Sequence, residues 1–517
     1  MPKTPEGLRP ANENPWYILM TLHGDDGSFA NSDKNRMSWN TWAGQGLSDE
    51  ARANLMNGAG VPLADFSVSD QWNEQKEEIQ RLFREQWIER NGESSNPPTI
   101  PDPWHTVDFS NTDFREHFYA DGMLFRSSVV KFSGSKFTKH ADLCGAVFQG
   151  KVQAHQINFN SDFFARETYF GMGANFYGTR FVKPAEFDGA TFEAPTEFRE
   201  VRFHLGARFI SSHFNSSACF NQSTFGAVAD FRSAIFVQTA SFTFATFTQD
   251  AAFHLATFQQ GVSFASATFS GFSYFTKTRF GDVGAAPGLP EFTDCHFEKP
   301  TSFRQALFRD GYPDFSGAVL HDKTSFTARQ KPTQDEIDKD KTLKGLTYWP
   351  KTTTQDPVNA RESCATIRHV LTQQGLPEEA HFFFRREMHF AGLPSAGRSC
   401  AERLPYLLFG WLSDYGYSIK RPLLWLAAVW FVGIAAFWMV FCYPGVAPVL
   451  AKSDLGTAAA LSFSNLFPLF GFGRVFLYEV LKALPRWAQV LSGLQTVASL
   501  PLLFFLGLAL RQRFRLR

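Results

Sequence analysis

Phenylalanine recurs through the middle of the chain at a spacing that neither a helix nor a strand sustains. Twenty consecutive positions from Phe176 to Phe280 are spaced alternately five and six residues apart, and the residue two places before each one is Ala, Ser, Thr or Val. Helices and strands repeat their apolar positions at periods of about 3.6 and about two residues, so neither explains this pattern. The pattern is an internal repeat with a period of 11 residues, which indicates a solenoid.

The order of small, large and polar side chains predicts how each unit is built. The small residue and the Phe are two positions apart, so in an extended segment both point to the same side, and the following residues are mostly polar. We expect four such units, or roughly 22 residues, per coil, with the extra residue of alternate units absorbed at a corner. Coils stack about 4.8 Å apart, a separation that suits packed aromatic rings. The predicted interior is a dry column of Phe rings.

The repeat extends beyond its regular part, from Phe109 to Phe326. The Gly- and Pro-rich segment 281–291 interrupts it, and we interpret that segment as a loop at one corner. Coils over this extent would form a rod on the order of 50 Å long. We therefore assign residues 106–328 to the solenoid.

Residues 1–105 precede the repeat and contain no apolar stretch typical of a signal peptide. Apolar residues at near-helical spacing predict a helix that ends at Asn91 and Gly92, and they are Trp72, Ile79, Leu82, Phe83 and Trp87. Because the ends of a solenoid must be covered, we interpret residues 1–105 as an N-terminal cap. A separate partner-binding domain is the alternative.

Helices are also predicted after the repeat. Residues 329–356 are polar, which predicts a linker or a loose cap. Residues 357–392 predict a helical hairpin, because Gly375 ends one apolar-periodic segment and Pro377 opens the next. We expect this hairpin to pack against the last coil.

Two long apolar segments predict membrane-spanning helices within residues 422–517. One begins at Pro422 and the other ends at Leu510, and each contains about twenty residues without a charge, enough to cross a hydrocarbon core of ~30 Å. Residues 400–421, rich in aromatic and basic side chains, predict a helix lying on the membrane surface.

Basic residues flank the outer ends of both segments. Lys420 and Arg421 precede the first, and the second is followed by Arg511, Arg513, Arg515 and Arg517. Because positive flanks stay in the cytoplasm, we expect both termini and the solenoid to be cytoplasmic, with residues 444–488 outside.

The segment 455–473 between the spans is too short to cross a membrane and predicts a re-entrant half helix, which Ser453 or Asp454 could cap. Helix, half helix and helix together resemble a two-span potassium-channel pore. In this resemblance the candidate pore-lining residues are Gly471, Phe472, Gly473 and Arg474.

The sequence differs from a selectivity filter at two positions. Leu469 stands where the filter has a threonine, and Arg474 stands where an aspartate is common. An arginine at the mouth disfavours cations. Selective potassium conduction, a degenerate or gated pore and a plain anchor therefore remain the alternatives, and we favour the anchor.

Composition and motifs argue against catalysis. The net charge is zero, and six scattered cysteines without Cys-x-x-Cys spacing are typical of a reducing compartment and disfavour a structural zinc site. Protease, hydrolase and Walker motifs are absent from the sequence. His381 and His389 lie eight positions apart without a clustered carboxylate or cysteine. We predict no enzyme, no cofactor and no metal.

The units resemble the pentapeptide-repeat family, in which the central residue is Leu or Phe and Ala commonly stands two places before it. This resemblance implies a mainly β fold, a right-handed quadrilateral β-helix with helical caps, although the family lacks the extra residue found here in every second unit. The segments ANENPWYILMTLHG, DYGYSIKRP and LALRQRFRLR extend the resemblance to membrane-attached members from bacteria. It implies an inner-membrane protein whose C-terminal two-span α-helical hairpin lies in the lipid bilayer.

Some pentapeptide-repeat proteins imitate DNA, but this repeat carries too little net negative charge to do so. Residues 105–328 contain 19 Lys and Arg against 21 Asp and Glu, whereas a duplex carries one negative charge per ~1.7 Å. We predict no nucleic-acid role and expect a non-enzymatic, membrane-anchored scaffold that binds an unknown protein partner on the solenoid surface. The alternative is a homo-oligomeric, channel-like protein with the solenoid as its cytoplasmic sensor.

Overall fold

The structure is a computed structural model that describes residues 7–48, 50–51, 72–281, 288–350, 355–394, 399–442, 450 and 454–514. Parts of several predicted features lie outside the described residues, among them the middle of the 281–291 loop, the proposed cap at Ser453, and Arg515 with Arg517 in the basic flank. The chain forms two compact units, residues 1–355 with 362–383 and residues 356–361 with 384–517.

The first unit contains a parallel β-solenoid of about ten turns, in which the described strands from β2 to β37 enter four sheets in rotation and the last strand, β38, joins the sheet of β36. Sheet A contains β1 Arg9–Pro10, β3 Thr112–Phe114, β7 Lys136–Phe137, β11 Asn158–Phe159, β15 Arg180–Phe181, β19 Arg202–Phe203, β23 Thr224–Phe225, β27 Thr246–Phe247, β31 Thr268–Phe269 and β35 His296–Phe297. Sheet B contains β2 Val107–Asp108, β6 Val129–Lys131, β10 Lys151–Gln153, β14 Ala174–Asn175, β18 Thr196–Glu197, β22 Ala218–Cys219, β26 Ala240–Ser241, β30 Val262–Ser263 and β34 Pro290–Glu291.

The other two sheets complete each turn. Sheet C contains β4 Phe118–Tyr119, β8 Ala141–Asp142, β12 Phe163–Phe164, β16 Ala185–Glu186, β20 Ala207–Arg208, β24 Ala229–Asp230, β28 Ala251–Ala252, β32 Ser273–Tyr274, β36 Thr301–Phe303 and β38 Ser325–Phe326. Sheet D contains β5 Leu124–Phe125, β9 Val147–Phe148, β13 Tyr169–Phe170, β17 Thr191–Phe192, β21 His213–Phe214, β25 Ile235–Phe236, β29 Thr257–Phe258, β33 Arg279–Phe280 and β37 Leu307–Phe308.

The register confirms the predicted coil length. Phe181 lies opposite Phe203, and Phe203 lies opposite Phe225, in parallel pairs 22 residues apart. The rings of Phe225 and Phe247 are 4.8 Å apart and nearly parallel. Every Phe of the regular repeat is at most 2% exposed. The interior is therefore the predicted column of stacked Phe rings.

Two kinds of corner explain the alternate spacing. Where successive Phe residues are five apart, the corner contains a residue in the left-handed region, as Ser211, Gln222 and Ser233 do with φ of 56°, 59° and 57°. Where they are six apart, the chain makes a bend that contains the extra residue. Phe244 and Leu255, which have large side chains, also lie at such corners. Their backbone φ angles are 58° and 60°, a conformation that usually favours glycine.

Helices cover the N-terminal end of the solenoid. They are α1 Pro15–Met20, α2 Phe29–Ala43 and α3 Trp72–Asn91. The ring of Tyr17 lies 5.4 Å from that of Phe114, and Trp39 lies 5.0 Å from Phe125. Helix α3 has the bounds that the apolar spacing predicts. The described part of residues 1–105 thus continues the aromatic core of the first coils.

The C-terminal end is covered more closely than its polar sequence suggests. Residues 329–356, predicted as a linker or a loose cap, contain α4 Gln334–Lys339, and Tyr348 and Trp349 are buried. The Trp349 ring stacks 4.6 Å from Phe308 and so extends a Phe column. Two further helices follow, α5 Pro357–Gln373 and α6 Pro377–Gly392, as predicted for the hairpin.

The second unit is helical. It contains α7 Cys400–Ser413, α8 Lys420–Phe441, α9 Leu455–Leu466, a 3-10 turn Pro468–Phe470, α10 Phe472–Phe476, α11 Tyr478–Ala483 and α12 Arg486–Phe514. Among the described residues, α8 and α12 are long and apolar enough to cross a membrane, with mean hydropathies of 2.2 and 1.8. Asp454 caps α9, because its Oδ1 accepts a hydrogen bond from the Thr457 backbone N–H at 2.7 Å.

Candidate functional sites: a solenoid face and the helical module

One side of the solenoid exposes an apolar group that we call the C-face patch. It consists of Val228, Leu255, Phe272 and Tyr274, each between 39% and 44% exposed, on or beside sheet C. The rings of Phe272 and Tyr274 are 6.4 Å apart. The outward Ala252 lies opposite Tyr274 in the sheet. Exposed aromatic side chains in mutual contact commonly mark a binding site.

A cleft of about 800 Å³ adjoins the patch at Tyr274. Strands of sheet C, the segment after β38 and the facing parts of α5 and α6 line this cleft. Its polar lining includes Arg304, Arg329, Glu336 and Glu379. The cleft therefore offers charges of both signs beside an aromatic ring, which suits a polypeptide segment better than a simple ion.

Glu336 organises the wall of the cleft. Its carboxylate accepts hydrogen bonds from the Thr333 backbone N–H at 2.8 Å and the Tyr348 hydroxyl at 3.1 Å, and it pairs with Arg329. Gln305 also donates to it. Desolvation opposes ionisation, but these donors and the Arg329 charge prevail and lower the pKa of Glu336 to about 2. The group therefore stays ionised and fixes the wall.

The cysteines and histidines do not assemble a reactive centre in the part of the chain that the structure describes. There, no group of three or more His, Cys, Asp or Glu is placed to hold a metal ion. Burial raises the pKa of Cys295 to about 12 and that of Cys144 to about 11, so both remain thiols. His381 and His389 both lie on α6, and burial lowers the pKa of His389.

The helical module has polar side chains at its centre. Helix α9 packs against both α8 and α12, and the contact contains five buried residues that we call the polar cluster. They are Ser462, Asn465, Ser492, Gln495 and Ser499.

Hydrogen bonds connect the polar cluster across the three helices. Asn465 Nδ2 donates to Gln495 Oε1 at 3.0 Å, and Ser492 Oγ donates to Asn465 Oδ1 at 3.0 Å. Gln495 Nε2 donates to Ser462 Oγ at 2.7 Å, and Ser462 Oγ donates to the Trp430 carbonyl of α8 at 2.8 Å. Such bonds join helices where lipid offers no hydrophobic drive between them.

Gly433 of α8 makes room for this network. A Cβ atom at Gly433 would lie 2.3 Å from both Gln495 Nε2 and Ser462 Oγ. Only a residue without a side chain allows α8 to approach the cluster this closely. The cluster and Gly433 therefore form one packing unit.

The candidate pore-lining residues lie together after α9. Gly471 has a φ of +67° and ends the 3-10 turn, while Phe472, Gly473 and Arg474 begin α10. A Cβ at Gly473 would lie 2.9 Å from Ser464 Oγ, whereas Gly471 has open space. In the single chain this segment is a turn and a short helix, not the extended backbone that a filter requires. A role in lining a pathway stays a prediction.

The polar cluster was not singled out from the sequence, although a signal for it exists. Ser462 and Asn465 are three apart, and Ser492, Gln495 and Ser499 follow the spacing of one helical face within an apolar segment. Polar residues on one face of a predicted span indicate a helix contact. The C-face patch gives no such signal, because its members come from three successive turns of the solenoid.

Comparison with family models, with curated proteins and with solved structures found no match for this chain. The solenoid is therefore established by the chain's own periodicity and structure, and no activity is transferred to it from a relative.

Proposed function

We propose that the protein is a non-enzymatic, membrane-anchored scaffold whose solenoid binds a protein partner. The observation that carries this proposal is the C-face patch beside the cleft of about 800 Å³. We further propose the finer identity that the repeat suggests, a right-handed, four-sided pentapeptide-repeat solenoid attached to the inner membrane of a bacterium.

The filled interior directs binding to the outside of the rod. Stacked Phe rings occupy the axis along the regular repeat, so a ligand has no room there. Parallel pairs along four sheets make the rod stiff, and a stiff rod presents surface residues in a fixed arrangement. The apolar side chains of the C-face patch supply the area that a partner would bury, while the charged cleft supplies polar contacts.

Exposed apolar side chains on both long helices support the membrane attachment. Leu424 and Val432 of α8 are 70% and 69% exposed, and Phe504 of α12 is 66% exposed. These residues would face acyl chains if α8 and α12 span the membrane. The basic residues at the outer ends of the spans support a cytoplasmic position for the solenoid.

Paired substitutions test the binding surface. In one variant Phe272 and Tyr274 become Ala, and in a matched control Thr246 and Thr268, outward on sheet A, become Ala. Proteins that co-purify from native membranes are then quantified for both. We expect at least one protein to be lost from the first variant and retained by the control. If no protein distinguishes the two variants, the C-face patch is not the binding surface.

A channel is the second candidate, and the observation that favours it is the half-length helix α9 between two candidate spans, with buried Asn465 and Gln495 beside it. A pore of this plan needs about four copies around an axis. Purified protein in planar bilayers separates the two candidates. We expect no conductance from a correctly inserted sample. A conductance that is lost on changing Gly471 to Ala, with assembly intact, would favour the channel.

A further inference from the structure

The exposed side of α7 is apolar, although a helix on the surface of a soluble unit normally exposes polar side chains. Four residues at helical spacing form what we call the apolar stripe, and they are Leu404, Leu407, Leu408 and Trp411, between 42% and 58% exposed. The other side of the helix faces the protein, since the Phe409 ring lies 5.3 Å from Phe505 of α12 and Ser413 is fully buried. The stripe therefore needs a cover other than water.

Basic side chains cluster at the C-terminal end of α7. Arg421 Nη1 donates to the Gly410 carbonyl at 2.7 Å. The end of α12 lies beside the same turn, because a Cβ at Gly416 would be 2.9 Å from Leu508 Cδ2. We call the exposed basic residues at the start of α8 and at the end of α12 the basic rim, and they are Lys420, Arg421, Arg511 and Arg513.

A strained turn fixes the angle between the stripe and α8. Asp414, Tyr415 and Gly416 follow one another in the left-handed region, with φ of 51°, 57° and 78°. Asp414 is held by Arg385, whose Nη1 lies 2.8 Å from its Oδ2, and the Gly416 N–H donates to Ser413 Oγ at 3.0 Å. Such strain persists only where surrounding contacts enforce it. The orientation of α7 is therefore built into the chain.

We propose that α7 lies in the surface of an anionic lipid leaflet, with the apolar stripe among the acyl chains and the basic rim at the phosphate headgroups. Apolar side chains on one face with basic residues nearby are the features of helices that lie in a membrane interface. Continuity with α8 and the positive charge of the rim select an anionic leaflet as the cover. This inference rests on the proposed membrane attachment and adds a lipid class to it.

Photocrosslinking of the full chain tests the position of α7. Benzoylphenylalanine is introduced separately at Leu407, at Val432 in α8 and at Thr246 on the solenoid. Each protein is reconstituted in vesicles of phosphatidylglycerol and phosphatidylcholine in equal amounts and illuminated. We expect lipid adducts at Leu407 and Val432 and none at Thr246.

The three positions distinguish the proposed location of α7 from the membrane attachment itself. Adducts at Val432 without adducts at Leu407 would overturn the inference and leave the membrane attachment standing. A protein–protein adduct at Leu407 in place of lipid would also overturn it, because the stripe would then cover a polypeptide. An absence of lipid adducts at both Leu407 and Val432 would remove the membrane attachment itself.

Charge substitutions test the lipid class. Arg511 and Arg513 are changed to Gln, and in a matched control the exposed Lys482 and Arg486 near the other end of α12 are changed to Gln. The ratio of phosphatidylglycerol to phosphatidylcholine adducts at Leu407 is measured in both. We expect the first variant to lower the ratio about fivefold or more, since each basic residue at a surface attracts anionic lipid appreciably, while the control keeps it. Equal ratios in the two variants would contradict the anionic selectivity.

Discussion

The two units of this chain differ in the polar groups that they bury and the apolar groups that they expose. In the solenoid, Phe rings fill the interior and polar residues dominate the outside. In the helical module the interior combines apolar clusters with the polar cluster, and the outside exposes large apolar residues such as Leu424 and Val432. Water drives the first arrangement through burial of apolar area. The exposed apolar side chains of the second arrangement would be unfavourable in water, whereas in lipid they would contact acyl chains while the buried polar groups bond to one another. The contrast supports the proposed membrane attachment of the helical module.

The largest loss of stability is expected from substitutions in the apolar interior of the solenoid. Changing Phe220 or Phe231 to Ala should lower the free energy of unfolding by about 3 to 5 kcal/mol, because a buried ring is replaced by a cavity. Changing the exposed Gln249 to Ala should cost less than about 0.5 kcal/mol. Urea unfolding of the purified full chain, followed by hydrogen exchange in the repeat, measures both. Equal costs would contradict the inward assignment of Phe.

The next effect tests the polar interior of the helical module. Changing Gly433 to Ala should destabilise the module by about 1 to 3 kcal/mol, because the new methyl group collides with Gln495 and Ser462. Gly493 of α12 is the control, since a Cβ there meets no atom within 4 Å. Its change to Ala should be neutral or stabilising by up to about 1 kcal/mol. Thermal unfolding in detergent compares the two, and an equal response would show that the cluster does not set the packing.

A smaller change in stability is expected at the left-handed corners of the solenoid. Changing Phe244 to Gly should stabilise the solenoid by about 1 kcal/mol, because glycine adopts a φ of 58° without steric cost and the ring is already 59% exposed. The same change at Thr248, whose φ is not in the left-handed region, should not stabilise. Denaturant midpoints of both variants decide this, and a loss of stability at Phe244 would mean that its ring makes contacts that outweigh the strain.

The smallest expected effect is the loss of stability at acidic pH that arises from Glu336. The pKa of Glu336 is about 2 when folded, below its ordinary value of 4.5. Its contribution to stability is therefore present above pH 4.5 and is lost as the pH falls toward 2. Changing Glu336 to Gln should remove the part of the acid sensitivity that arises in this window. Protection of the Tyr348 and Trp349 amides from exchange, measured between pH 5 and pH 2, reports it, and an unchanged pH profile would contradict this role.

Periodicity made the solenoid predictable, because one Phe in each unit repeats the same physical requirement many times. The sequence also predicted α3, the hairpin α5 and α6, and the cap at Asp454. It did not predict the left-handed corners, since Phe244 and Leu255 carry no glycine signal, nor the buried Trp349, which follows a polar segment. The candidate sites depend on residues that meet only after folding. Tyr274 and Arg304 lie on different turns, and Gln495 meets Ser462 across two helices.

Thiol labelling tests the central claim, that one chain occupies two solvents, most directly. Cys400 at the start of α7 and Cys442 just after α8 are both exposed, and the 22 residues of α8 between them span about 33 Å. An impermeant maleimide is applied to spheroplasts with an intact inner membrane and to inverted membrane vesicles, and labelled peptides are identified by mass spectrometry. We expect Cys442 to react only from the outside and Cys400 only from the cytoplasmic side. Reaction of both from the same side would contradict the account, because α8 would then not cross the membrane.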